Sequence, residues 1–340
     1  MVNVNTVVVG ASAGGVEALR VLIAGLPADF PAAVLVVLHI PAHTPSQLHS
    51  ILGRAGSLPV TSAEDGEAIV AGHVYVAPAD RHLLVEDDHL RLTRGPKENR
   101  VRPAIDVLFR SAAYSLGPRV VGIVLSGMLD DGTAGLWAIK DQGGIALVQS
   151  PEDALHPSMP ESALLHVAVD HTLPVAAMPA LLTKIVHDTT GAIPHAESAE
   201  KRGIEIRIAL KGNGLQEGIM QLGPISANTC PECHGVLVRM QEGSIVRYRC
   251  HTGHAYSLQT LLADVNEKID TTLWNALRVI EERILLLREM EQTALAMQDN
   301  VTAQQCAEQA HATEQQVQRV RELVLNDALF GRTFVAREGL

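Results

Sequence analysis

The sequence predicts an α/β fold: a doubly wound, mostly parallel sheet in a three-layer α/β/α arrangement, then a small zinc-ribbon-like module and a C-terminal helical hairpin. Three observations carry this. Over residues 5–188, short continuously apolar runs alternate with stretches of helical period. Three of the four cysteines stand in two close-set groups beyond residue 229. From residue 257 onward, apolar residues recur at spacings of three and four with no strand pattern. The expected bounds are 1–188 for the sheet domain, 189–228 for a linker, 229–256 for the module and 257–332 for a helical hairpin or coiled coil.

Within the first domain, Val7–Gly10 is a β-branched strand. Val16–Leu26 has an apolar helical face (Leu19, Leu22, Ile23, Leu26) and stops at Pro27. Ala33–Leu38 is apolar throughout, as a strand buried on both faces should be, and ends at His39. Pro45–Leu52 reads as a short helix with proline in its first turn. Val74–Ala77, Leu83–Val85 and Leu90–Thr93 read as an antiparallel hairpin excursion. Pro103–Leu116 is a helix, Val120–Leu125 a buried strand, Ala134–Gln142 a helix that stops at Gly143-Gly144, Ile145–Val148 a strand and Ala176–Val186 a helix. The linker contains one alternating run, Ile204-Glu205-Ile206-Arg207-Ile208, which predicts a strand. In the module, Val236–Met240 and Ile245–Arg249 form a hairpin.

Composition excludes several classes. Of 340 residues, 47% are hydrophobic, 19% charged and only 3% aromatic, so Val, Leu, Ile and Ala must build the core. A net charge of −11 argues against a nucleic-acid footprint or an anionic membrane surface as partner. The longest apolar run, Ala32–Leu38, is far short of the ~20 residues a spanning helix needs. No basic segment precedes the N-terminal apolar residues, so no signal peptide is read. A cytoplasmic protein without membrane insertion is expected.

The chemistry begins at Gly10-Ala11-Ser12-Ala13-Gly14, a literal G-x-S-x-G between a strand and a helix. It is compatible with a nucleophilic serine, a dinucleotide-binding turn, or a tightly packed turn of small residues. In an open α/β sheet, sites form beyond the carboxyl ends of the strands. Ser12 ends the first strand and His39 the second, and Asp130 and Asp131 follow Val120–Leu125. A hydroxyl, an imidazole and a carboxylate on one sheet edge are the set that serine nucleophilic catalysis needs. A dinucleotide fold wants an acid where His39 stands and a G-x-G-x-x-G turn, which is lacking. The α/β-hydrolase order, serine then acid then histidine, also fails.

The first ~190 residues closely resemble the catalytic domain of the CheB-type chemotaxis receptor methylesterases. The resemblance rests on Gly10-Ala11-Ser12-Ala13-Gly14-Gly15, the strand ending in His39, the run Gly72–Leu83, Arg102-Pro103-Ala104-Ile105-Asp106-Val107-Leu108-Phe109, Ser126-Gly127-Met128 with Asp131-Gly132, and Ser158-Met159-Pro160. It implies Ser12 as nucleophile, His39 as base and Asp131, the acid that precedes a glycine, as orienting carboxylate. It implies hydrolysis of glutamyl γ-methyl esters on a methylated chemoreceptor or receptor-like protein, with glutamine deamidation in some members and no cofactor for catalysis. Backbone N–H groups of Ala13 and Met128 are expected to hold the oxyanion, and Arg102 to help bind an acidic receptor segment. Typical members carry an N-terminal receiver domain. Here the catalytic pattern starts at once, so control is expected from a separate regulatory protein or from the tail. Leu129-Asp130 stands for a common Gly-Asn, and Ala104 for the usual serine. A non-catalytic signalling adaptor on an esterase fold is the competing reading.

Cys230-Pro231-Glu232-Cys233, separated by sixteen residues from Cys250-His251-Thr252-Gly253-His254, has the spacing of two metal knuckles joined by a hairpin. The expected ligands of a structural zinc are Cys230, Cys233, Cys250 and His254. His251, adjacent to Cys250, is poorly placed for the same ion. Cys306 is expected on a helix face, and the helical tail offers a surface for homodimerisation.

Overall fold

The computed structural model of the chain describes residues 2–3, 5–43, 46–187, 189–190 and 199–325. It divides into two compact units, residues 1–261 and 262–340.

In the first unit, seven strands form one sheet in the order His171–Leu173, Ile145–Gln149, Val120–Val124, Thr6–Ala11, Ala33–Leu38, Val74–Val76 and Val60–Ser62. Every neighbouring pair is parallel. The central strands are β-branched and buried on both faces. Val7 and Val9 enter one apolar layer beneath the helices Gly15–Ala24, Leu48–Gly53 and Met178–His187. Val8 enters the other, with Ile105–Leu116, Thr133–Asp141 and Ser158–His166. The chain winds to one side from Thr6–Ala11 and then returns to place Val120–Val124 against its other side. The switch point therefore lies at the carboxyl end of the first strand.

The register sets the site. Ala11 pairs with Leu38, and Gly10 with both Val37 and Val124, so Ser12, His39 and Ser126 leave the sheet at nearly one level.

Two sequence expectations in this domain change. Val74–Val76 is not part of a hairpin excursion. It joins the main sheet beside Ala33–Leu38, and only His82–Glu86 and His89–Thr93 form the hairpin. The edge strands Val60–Ser62 and His171–Leu173 and the helix Ser158–His166 gave no clear period, because their residues are half-exposed or small and polar.

The largest correction concerns the linker. Residues Ala199–Lys211 form a helix, and the alternating isoleucines do not form a strand. The helix is buried on more than one side, which hides its period. Ile204 and Ile208 pack with Ile219, Leu222, Val238 and Met240. Ile206 and Ala209 face Leu84, Ala104 and Val107 of the sheet domain. The part of the expected linker at 191–198 lies outside the described residues.

The Cys/His module is a four-stranded antiparallel sheet of Ile225–Thr229, Val236–Glu242, Ile245–Cys250 and Ala255–Ser257. It joins the sheet domain through buried charge. Glu205 accepts both Nη groups of Arg247 at 2.8 Å and Arg249 at 2.8 Å. Glu98 accepts Arg110 and Arg249 at 2.6 Å each. Burial opposes the charge on Glu205, but the guanidiniums of Arg110, Arg247 and Arg249 outweigh it and hold its carboxyl well below the usual range.

The second unit contains the rest of the helix Leu258–Ala296 and the helix Asn300–Leu325, turned back through residues 297–299. Ala303, Cys306, Ala310, Val317 and Val324 form the buried face of the second helix, so Cys306 sits on a helix face. Arg288 and Glu314 pair across the hairpin at 3.1 Å, and Arg321 pairs with Glu281. Residues 326–332 of the expected hairpin lie outside the described residues. No helix among the described residues is long and apolar enough to cross a membrane.

Candidate active site and Cys/His centre

Ser12 follows the first strand directly. Its N–H donates to Ser126 O at 2.9 Å, and its carbonyl accepts the N–H of Gly15, the first helical residue, at 2.9 Å. This bend needs a left-handed residue at Gly14 (φ 74°), where a Cβ would also press on Leu155 and on Ser126 Oγ at 2.8 Å. The neighbouring loop approaches equally closely. A Cβ on Gly127 would lie 2.0 Å from Met159 Sδ and 2.9 Å from the Ser12 Cβ.

The three strand-end residues meet. His39 Nδ1 lies 3.1 Å from Ser12 Oγ, and His39 Nε2 lies 2.8 Å from Asp131 Oδ2. The imidazole thus stands between hydroxyl and carboxylate, with Nδ1 toward the serine. Asp131 is 2% exposed, which would be prohibitive for a lone carboxylate. Its partners compensate. The N–H groups of Ile105 and Asp106, at the start of the helix Ile105–Leu116, donate at 2.7 and 3.2 Å, and its own neighbour Gly132 donates at 3.0 Å. Asn99 Nδ2 adds a bond of 2.8 Å to Oδ1. Burial opposes ionisation, but His39, Asn99 and the Ile105 N–H together hold the carboxyl below the usual range. Asp130 takes no part in this relay. It accepts Ser257 Oγ at 2.7 Å, and burial pushes its carboxyl up to about 6.

Ala13 follows Ser12, and Met128 follows Gly127, whose loop approaches Ser12. The adjacent N–H groups of Ser12 and Gly127 are committed to Ser126 O and His156 O. Among the described residues, those of Ala13 and Met128 make no backbone hydrogen bond. Met128 is 60% exposed. Arg102 lines a 410 Å³ cavity together with His39, Ile40, Asp80, Lys97 and Arg100. Its guanidinium also braces the cavity wall, donating to Asp80 Oδ1 at 2.9 and 2.6 Å and to Gly95 O at 2.6 Å.

Two residues of the site escaped sequence reasoning. Asn99 lies in the loop between the hairpin and the helix Ile105–Leu116. Asp106 is buried beside Asp131 and accepts the N–H groups of Gly132 and Gly135 at 3.1 and 2.6 Å. Burial and the neighbouring Asp131 push its carboxyl well up. The available signal was Asp106 itself, a single acid inside the apolar run Ile105–Phe109.

The four metal-type residues also converge. Cys233 Sγ lies 3.5 Å from Cys250 Sγ, and His254 Nδ1 lies 3.7 and 3.6 Å from the sulfurs of Cys230 and Cys250. All four donor atoms fall within 4.8 Å of one another, and no cysteine is in a disulfide. A tetrahedron with zinc–sulfur bonds near 2.3 Å and zinc–nitrogen bonds near 2.0 Å has edges of roughly 3.5–3.8 Å, so the donor set fits such an ion. The Thr252 hydroxyl lies 3.2 and 2.9 Å from the sulfurs of Cys233 and Cys250. His251 turns away and packs against Gly235, where a Cβ would meet its ring at 2.1 Å.

A doubly wound α/β protein with a serine–imidazole–carboxylate relay at its switch point is the class that fold and geometry define. Residues 7–182 match the family model described as CheB methylesterase, and the chain belongs to that family. It is 41% identical over 173 residues to "Protein-glutamate methylesterase/protein-glutamine glutaminase 1" of Xanthomonas campestris pv. campestris, covering 50% of this chain and 48% of that protein. It is 36% identical over 184 residues to a "Putative protein-glutamate methylesterase/protein-glutamine glutaminase" of Leptospira interrogans, covering 54% of this chain and 95% of that one. The crystal structure of the Thermotoga maritima CheB methylesterase catalytic domain superposes with a TM-score of 0.52 at 34% identity, over 54% of this chain and 99% of that domain. The chain thus spans about half the length of relatives such as the Xanthomonas protein.

Proposed function

We propose that this protein is a protein-glutamate methylesterase that removes γ-methyl esters from glutamates of a chemoreceptor or receptor-like protein, and that it can also deamidate glutamines. The observation that carries the reading is the unbroken relay of hydrogen bonds from Ser12 through His39 to Asp131, on a chain of this family. Ser12 Oγ attacks the ester carbonyl carbon as His39 Nδ1 takes the hydroxyl proton. Asp131 Oδ2 accepts the Nε2–H, fixing the tautomer and stabilising the imidazolium. The developing oxyanion takes hydrogen bonds from the N–H groups of Ala13 and Met128, each worth roughly 2.7–4 kcal/mol in comparable hydrolases. On collapse the C–OCH3 bond breaks, and His39 Nδ1–H protonates the departing oxygen to give methanol. A water, deprotonated by His39, then attacks the acyl carbon; the bond to Ser12 Oγ breaks as His39 Nδ1–H returns its proton to that oxygen, leaving a glutamate carboxylate. Arg102 contributes positive charge to the wall of the cavity that would receive an acidic receptor segment.

The Cys230, Cys233, Cys250 and His254 set is assigned a structural zinc. The support is its spacing, the convergence of its four donor atoms within 4.8 Å and the small apolar cluster around it. The ion would supply folding energy and no chemistry.

The test is methanol release from methylated receptor. Ser12→Ala should lose at least ~10³-fold in turnover while keeping its circular dichroism spectrum. Release at the wild-type rate would remove the serine mechanism. Failure of the wild type to label with a serine-directed phosphonate would favour the adaptor reading.

A further inference from the structure

We infer that Asn99 is a positioning residue for the triad, and that the strand following the Cys/His knuckle, Ala255–Ser257, sets its position. The inference rests on the esterase reading only for its kinetic arm.

The Asn99 side chain is 6% exposed and its amide is used to capacity. Nδ2 donates to Asp131 Oδ1 at 2.8 Å and to Asp106 Oδ2 at 3.0 Å. Oδ1 accepts the Ser257 N–H at 2.9 Å and the Thr260 hydroxyl at 3.2 Å. The amide can stand only this way round, because two carboxylates lie on one side and a backbone N–H on the other. By pinning Oδ1 of Asp131, Asn99 leaves Oδ2 directed at His39. By spanning two carboxylates it also keeps the second one, Asp106, from displacing the first.

The backbone adds to this. Asn99 and Arg100 are consecutive non-glycine residues in the left-handed region, at φ 51° and 72°. That conformation is held from the module: the Asn99 N–H donates to Ala255 O at 2.8 Å, and the Ala255 N–H to Lys97 O at 3.1 Å. Ser257 reaches the other side of the acid through its bond to Asp130. The strand Ala255–Ser257 begins directly after His254 and pairs with Ile245–Cys250, which ends on a second ligand-type residue. A continuous path therefore runs from the Cys/His knuckle through Ser257 and Thr260 to Asn99, Asp131 and His39.

The test uses the full chain with Thr260→Val, which keeps the side-chain shape but removes the hydroxyl that reaches Asn99 Oδ1 at 3.2 Å and Ser257 Oγ and O at 3.0 and 3.3 Å, Asn99→Ala, and the double variant. Asn99→Ala should lower kcat roughly 10- to 100-fold, with KM within about twofold of wild type. Thr260→Val should lower kcat a few-fold on its own and have no further effect once Asn99 is alanine. Equal losses from Thr260→Val on both backgrounds, or an unchanged kcat in Asn99→Ala, overturn the inference. A readout independent of turnover is the low-field proton resonance of the His39 imidazole N–H, assigned by its absence in His39→Ala. It should shift in Thr260→Val and become insensitive to that change once Asn99 is alanine. A resonance unmoved by Thr260→Val overturns the coupling whether or not the protein is an esterase. If Asn99→Ala does not fold, Thr260→Val decides alone by the same resonance.

Discussion

The triad and the Cys/His centre are assembled in opposite ways. Ser12, His39 and Asp131 are far apart in sequence and meet because parallel strands of matched register end at one level. Two apolar layers fix those strands, and the carboxylate is held by helix-start N–H groups. Cys230, Cys233, Cys250 and His254 lie within one short segment, and the apolar cluster around them is small: Leu237, Tyr248, Tyr256 and Leu261 with two of the cysteines themselves. The first site is made rigid by a core; the second rests on close spacing, its docking and, on the zinc assignment proposed above, an ion. Buried charge joins the two, beside apolar and backbone contacts: Glu98 and Arg110 from one side, Arg247 and Arg249 from the other, and Glu205 between them.

The largest difference should appear on metal removal. Zinc binding to peptides of this kind is worth roughly 10–16 kcal/mol at neutral pH, far more than the module's own core could replace. Cys233→Ser, or a strong chelator, should abolish stoichiometric zinc in elemental analysis and open the 225–257 segment to limited proteolysis. The sheet domain, residues 1–188, should stay protease-resistant. If both regions became sensitive together, they would form one cooperative unit and the contrast would not hold.

The joint between the regions comes next. Glu205→Gln keeps the shape but leaves three buried guanidiniums facing less negative charge. Removing one partner of such a cluster costs on the order of 3–5 kcal/mol. Urea unfolding of the full chain should register that loss, with protection of the Ala255 amide falling first. A loss under about 1 kcal/mol, typical of an exposed ion pair, would mean that the apolar contacts of Ile204, Ile206 and Ile208 hold the module in place.

The same contrast explains what the sequence revealed. Ser12, His39 and Asp131 were legible because apolar runs such as Ala33–Leu38 mark strands, and a simple rule places sites at their carboxyl ends. The convergence of Cys230, Cys233, Cys250 and His254 was legible from spacing alone. The connection between them was not. Ile204 to Ile208 alternate as a strand would, since the helix carrying them is buried on several sides and its polar residue Glu205 is an interior charge rather than a solvent-facing one. Asn99 sits in a loop without period, and its partners Asp131 and Ser257 lie 32 and 158 residues away. No local pattern could report such contacts. The exposed edge strand Val60–Ser62 stayed hidden for another reason: one side of it faces water, so it never needed an apolar run.

The smallest expected effect probes the rigid side of the comparison, through His82. Its ring is fully buried beneath the loop that leads into Ile105 and Asp106. It lies between Pro96 O, which Nε2 reaches at 2.9 Å, and the Ala104 N–H, which donates to Nδ1 at 3.2 Å. Burial pushes its pKa down from 6.5 to about 4, against the pull of Glu98 and Asp131. The folded state therefore resists a proton that the unfolded chain accepts. The resulting stability is present above pH 6.5 and is lost as pH falls toward 4, by about 3 kcal/mol in all. Asp130 works the other way. Its carboxyl is raised from 3.8 to about 6, so its folded form gains relative stability as pH falls through the same window. The wild type alone would show the two partly cancelled. His82→Gln keeps a donor and an acceptor, and the difference between the two proteins isolates the imidazole, because Asp130 titration and any acid transition at the Cys/His centre are common to both. The wild type's stability relative to His82→Gln should fall by about 3 kcal/mol between pH 7 and pH 4 in urea unfolding. A flat difference would mean that His82 takes up its proton equally in both states, and that the loop beneath the acid's cradle admits water.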